Sequence, residues 1–79
     1  MKLTYDSFHN IAYLQLREKQ EKVESVKISE ELIIDIATDG TVYGIELLNA
    51  QKQLQDKNSL HLLFVNEVTG EKKEMTMGV

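Results

Sequence analysis

Residues 32–50 read LIIDIATDGTVYGIELLNA, two alternating apolar runs on either side of Asp39-Gly40, and no other stretch of the chain constrains the fold as tightly. An Asp-Gly pair between such runs favours a two-residue type I′ hairpin turn, because both central residues must take positive φ and these two tolerate it. The register follows by counting. Thr38 faces Thr41, Ile36 faces Tyr43, Ile34 faces Ile45 and Leu32 faces Leu47, all on one side of the sheet, which is the expected core. The opposite side carries Ile33, Asp35 and Ala37 against Glu46, Gly44 and Val42. There Asp35 lies across from Gly44, and Glu46 is its diagonal neighbour at about 7 Å, over the gap left by the missing glycine side chain.

Those three residues, Asp35, Gly44 and Glu46, form the candidate polar-face site. Two carboxylates at such a separation can bind a hard cation or act as a general acid and base, with Gly44 giving room for a ligand. Calcium, however, takes six or more oxygens, and glycoside chemistry needs a walled cleft. The competing structural reading leaves Asp35 and Glu46 facing solvent or another subunit, with Gly44 permitting a bulge or a close backbone approach. The residue types favour that second reading, since strand carboxylates are mostly exposed.

Period-2 alternation recurs along the chain and predicts strands near residues 1–5, 11–16, 24–29, 32–37 and 41–47. Helical spacing occurs once, in NAQKQLQDK, where Asn49 is placed to cap a short helix and Ala50 and Leu54 fall four apart on one face. LHLLFV and KKEMTM, separated by NEVTGE, predict a terminal hairpin. With Thr69-Gly70 as its tip, Phe64 pairs with Met75, Leu62 with Met77 and Glu67 with Lys72, while a longer loop gives another register. The first hairpin is open in the same way, because loops of four and five residues in DSFHN turn opposite sides of IAYLQL inward. The whole is an α+β fold: a small, mostly antiparallel sheet of five to seven short strands with one short helix after the GIEL strand. It forms a single domain over residues 1–79, divided into a core of residues 1–57 and a hairpin extension of residues 58–79.

A chain of 79 residues buries only about 60–65% of the surface its unfolded form exposes. Without cysteine for a disulfide or a thiolate metal site, packing alone must hold this one. Its 42% hydrophobic and 28% charged content nevertheless places it among globular chains. No stretch approaches the roughly 18 apolar residues of a membrane span, and MKLTYDSFHN lacks the apolar segment of a secretion signal, so a cytoplasmic protein is expected. The net charge of -4 gives no attraction for phosphate backbones and argues against nucleic acid as a partner.

Individual side chains add little chemistry. His9 follows Asp6 in a loop and His61 lies on an alternating strand, without the spacing of a zinc site. Serines 7, 25, 29 and 59 lack a nucleophile context, and the four glycines form no phosphate loop. Tyr5, Tyr13 and Tyr43 read as aromatics at the core edge with hydroxyls reaching water. No motif asks for a cofactor or a metal.

MKLTYDSFHNIAYLQL followed by LIIDIATDGTVYGIELLNA resembles the small bacterial family known as domain of unknown function 2283. Tyr5-Asp6, Ala12-Tyr13 with Leu14 and Leu16, Asp35, Gly40 and the run Gly44-Ile45-Glu46-Leu47 leading to Ala50 carry the resemblance, whereas Asn10 stands where an acidic residue is usual. The resemblance implies a small α+β fold without assigned catalytic residues, and a place beside toxin-like partners that makes an antitoxin role conceivable. Small antiparallel sheets expose edges. A non-enzymatic interaction module is therefore expected, either a homodimer or an acidic, antitoxin-like partner of another protein. The alternatives are a metal-dependent or acid-base enzyme using Asp35 and Glu46 and, against the charge, a nucleic-acid binder.

Overall fold

A computed structural model describes residues 1–18, 22–56 and 59–78. Strands β4 (Leu32–Ala37) and β5 (Val42–Leu48) pair antiparallel around the Asp39-Gly40 reversal. Only Gly40 takes positive φ there, at 91°. Gly40 N donates to Ala37 O at 3.0 Å and Ala37 N donates to Thr41 O at 2.8 Å, enclosing a loop of three residues rather than two. The Asp39 carboxylate explains the change. It accepts from Thr41 N at 2.9 Å, a local bond that holds Asp39 outside the left-handed region and passes that role to Gly40 alone.

One extra loop residue would turn every later side chain of β5 to the wrong face. A bulge prevents this. Ile36 pairs with Val42 and Asp35 with Gly44, leaving Tyr43 as the additional residue. The Ile36–Tyr43, Ala37–Val42 and Thr38–Thr41 pairs are thus replaced, while Asp35–Gly44, Ile33–Glu46, Ile34–Ile45 and Leu32–Leu47 form as counted.

Strands β1 (Lys2–Asp6), β2 (Ile11–Gln15) and β3 (Val23–Ser29) complete a five-stranded antiparallel sheet in the order β1-β2-β5-β4-β3. Asp6 pairs with Ile11, so the first loop has four residues. Its geometry comes from the Asp6 carboxylate, which accepts from Phe8 N at 2.9 Å and His9 N at 3.1 Å, and from Asn10, at φ 58°. That choice sends Ala12 and Leu14 to the side of Leu47 and Ile45, and Tyr13 and Gln15 to the side of Glu46 and Gly44.

The loop also starts the helix. In α1 (Ala50–Leu54) the first free N–H groups are taken by Asn10 and not by Asn49: Ala50 N donates to Asn10 O at 3.0 Å and Gln51 N to Asn10 Oδ1 at 2.9 Å. Asn49, itself at φ 52°, accepts from Asn10 Nδ2 at 3.2 Å, and Tyr5 Oη donates to Asn10 Oδ1 at 3.1 Å. A five-residue helix has little stability of its own, so this long-range cap fixes where it begins. Replacing Asn10 with Ala should cost about 1–2 kcal/mol, read from the denaturant midpoint, and Asn10→Asp should recover much of it by keeping the acceptor oxygen.

After α1, strands β6 (Gln55–Asp56), β7 (Ser59–Val65) and β8 (Lys72–Gly78) form a second antiparallel sheet in that order. Among the described residues there are thus seven strands of five to seven residues, one of two residues and one short helix, an α+β architecture. The β7–β8 register pairs Leu62 with Met75, Phe64 with Lys73 and Val65 with Lys72. This replaces the Phe64–Met75, Leu62–Met77 and Glu67–Lys72 pairs. The cause is a longer loop built on Asn66, whose side chain accepts from Val68 N at 3.0 Å and Thr69 N at 3.3 Å, while Gly70, at φ 78°, donates to Asn66 O at 2.8 Å. A slip of two positions leaves each side chain on its face.

The apolar side of the large sheet is open. Ile34, Ile45, Leu14 and Leu47 are only half-buried, and no large side chain is completely enclosed among the described residues. The buried set is small: Ala12, Ala37, Tyr43, Gly44 and Ala50, together with Asp35. The accessible surface is 6209 Å² against about 4,900 Å² for a compact chain of this mass. The radius of gyration is 14.2 Å, where about 11.6 Å is typical of this length.

Candidate functional site

The sheet order brings Gln15, Gly44, Asp35 and Ser25 into one row across β2, β5, β4 and β3, with Tyr13, Glu46, Ile33 and Lys27 in the next row on the same face. Tyr13 leans diagonally over Gly44. A Cβ at position 44 would overlap Tyr13 Oη and Cζ and fall 2.9 Å from Cε1, so the ring occupies the space that an ordinary residue would fill. The phenol then passes beyond β5 to donate to Asp35 Oδ2 at 2.8 Å, and Ser25 Oγ donates to Asp35 Oδ1 at 2.6 Å.

The three residues singled out in the sequence therefore share a face, in a different arrangement from the one expected. Asp35 is not solvated: it is 8% exposed and is the buried charged residue of the described chain. Its carboxylate is held by two hydroxyl donors, each a short charge-assisted hydrogen bond. Gly44 gives room to Tyr13 and leaves no hollow for a ligand. Glu46 is half-buried directly opposite Tyr13. Tyr13, read from the sequence as a core-edge aromatic, and Ser25 complete the cluster, and the sequence alone does not place either of them at this site. The signal for Tyr13 was Gly44 itself, because a glycine inside a strand invites an aromatic from the neighbouring strand to cover it.

Tyr13 is pushed up to about 12, first by burial, then by its hydrogen bond to Asp35, then by the charges of Asp35 and Glu46. The phenol is thus a neutral donor throughout the ordinary pH range. Because the folded value lies above the ordinary 10.0, the associated stability is complete below pH 10 and is lost as the pH rises toward 12. A melting-temperature series should therefore fall more steeply for the wild type than for Tyr13→Phe across pH 10–12.

His9 Nδ1 lies 2.7 Å from Asp6 Oδ2, and that side-chain hydrogen bond, with the backbone bonds beside it, holds the exposed Asp6 carboxyl below the usual carboxylate range. His61 Nδ1 lies 3.2 Å from Thr76 Oγ1 on the exposed arm. Tyr5 and Tyr13 donate their hydroxyls to Asn10 and Asp35, and the Arg17 guanidinium lies 5.9 Å from the centre of the Tyr43 ring. Among the described residues no three His, Cys, Asp or Glu side chains gather as a metal would require, and no helix is long and apolar enough to cross a membrane.

Residues 2–51 match the model of a family described as a protein of unknown function, DUF2283. The chain belongs to this family. The DUF2283 match runs from β1 into the first turn of α1, so it contains Tyr13, Ser25, Asp35, Gly44 and Glu46, while the β7–β8 hairpin lies beyond it. No curated protein and no solved structure matches the chain.

Proposed function

We propose that this protein is a non-enzymatic interaction module that completes its fold against a second copy of itself. The observation that supports the reading is its surface, which exceeds that of a compact chain of equal mass by about 1,300 Å². A standard protein interface removes about 800 Å² from each partner, and obligate homodimers remove more. The surplus is of that size, and exposed large apolar side chains lie on the leucine side of the sheet, as Leu3 and Val26, and on the terminal hairpin, as Leu63 and Phe64. On the opposite face Asp35 is engaged with Tyr13 and Ser25, which speaks against an acid-base or metal role for Asp35 and Glu46.

Sedimentation equilibrium at micromolar concentrations tests the reading. A mass near twice the 9.1 kDa of one chain is expected, whereas a single-chain mass throughout would contradict it. A basic protein that co-purifies from the native cells and occupies the same face is the competing outcome, which the net charge of -4 favours over an acidic partner.

A further inference from the structure

The terminal hairpin stands over one end of the leucine side of the large sheet without closing on it. Two adjoining apolar hollows remain between them, one of about 140 Å³ lined by Leu3, Leu14, Leu47, Leu54 and Leu62, the other of about 240 Å³ that adds Met1 and Met75. Past Met75 the depression continues along the hairpin to Phe64 and Lys73. Leu62, Phe64 and Met75 share one face of the hairpin by register, and they are 53%, 54% and 51% exposed. A strand with apolar side chains in succession, Leu62 to Val65, matches a pattern found where strands are covered on both faces, yet here all four side chains stay 41–57% exposed.

Resting on the self-association reading above, we propose that the occupant of this groove is Phe64 of a second copy, with the two hairpins laid face to face across a two-fold axis. Two arguments select a copy of this chain over another partner. A two-fold interface needs projection and recess on the same face of the same molecule, so that each copy offers both, and Phe64 adjoins the recess lined by Leu3, Leu14 and Leu62. The surface in surplus also matches what each half of a stable homodimer buries.

The test compares masses by light scattering, alongside far-ultraviolet circular dichroism. Wild type and Val68→Asp, altered at the exposed loop tip, should both run at twice the single-chain mass, and Phe64→Asp should halve it with an unchanged spectrum. A Phe64→Asp variant that stays dimeric, or a Val68→Asp variant that also dissociates, would overturn this surface while leaving self-association in place. A monomeric wild type would overturn both. If Phe64→Asp does not fold, the cysteine-free chain allows a second measurement. Leu3→Cys and Lys73→Cys proteins, mixed and oxidised, should form a disulfide-linked heterodimer, and a dimeric mixture that forms none would overturn the proposal.

Discussion

Gly44→Ala is expected to lower the stability of the domain by about 3–5 kcal/mol, an effect that exceeds the usual cost of one methyl group in a strand. Alanine has good backbone freedom at this position, and the penalty comes from Tyr13. The new Cβ takes the space of the phenol, the ring must swing away, and Asp35 loses the donor on Oδ2 in a buried setting. Overpacking contributes about 1–3 kcal/mol and the loss of the charge-assisted bond from Tyr13 a similar amount. A chain of 79 residues has little stability in reserve, so the variant should be largely unfolded well below the wild-type melting temperature. Urea denaturation followed by circular dichroism would measure the loss.

Asp35→Ala removes the acceptor that Tyr13 and Ser25 share, and a loss of about 3 kcal/mol is expected. Asp35→Asn should cost less than half of this. Its amide oxygen still accepts from one hydroxyl, and its NH2 can donate to the other once that hydroxyl rotates. The ordering alanine, then asparagine, then wild type is what a structural carboxylate produces. If alanine and asparagine melted together with the wild type, the hydrogen bonds to Tyr13 and Ser25 would have no energetic role.

Much of the β4–β5 hairpin was legible because its signals are local. Alternation sorted Ile34, Ile45, Leu32 and Leu47 to one side and Asp35, Gly44 and Glu46 to the other, and the sheet keeps that sorting. The turn itself differed. The Asp39 side chain lengthens the loop by one residue and the Tyr43 bulge absorbs it, so two departures cancel before Asp35 is reached. In the terminal hairpin the same kind of local bond, from Asn66, displaced the register with nothing to restore it.

What escaped the sequence was contact across strands that are distant in the chain. Tyr13 meets Asp35 only because β2 pairs with β5 and β5 with β4, and Ser25 joins because β3 forms the far edge. The helix cap was missed for the same reason: Asn10 is 39 residues from Asn49, and the nearer asparagine was the natural choice. Alternation also identified which side of the sheet is apolar without saying what covers it. In the monomer that side is left half open, which is why the surface and not the polar face carries the functional proposal.

The polar face is a lock in which a tyrosine, laid over a glycine, reaches a buried carboxylate and holds three strands together. A double-mutant cycle between positions 13 and 44 tests this lock. In wild-type background Gly44→Ala should be severe, but in a Tyr13→Ala background, where no ring crosses the glycine, it should cost little. The coupling between the two sites should be at least about 3 kcal/mol, at the top of the range for residues in contact. Equal losses from Gly44→Ala in the two backgrounds would mean that the ring and the glycine do not depend on each other, and the lock would have to be abandoned.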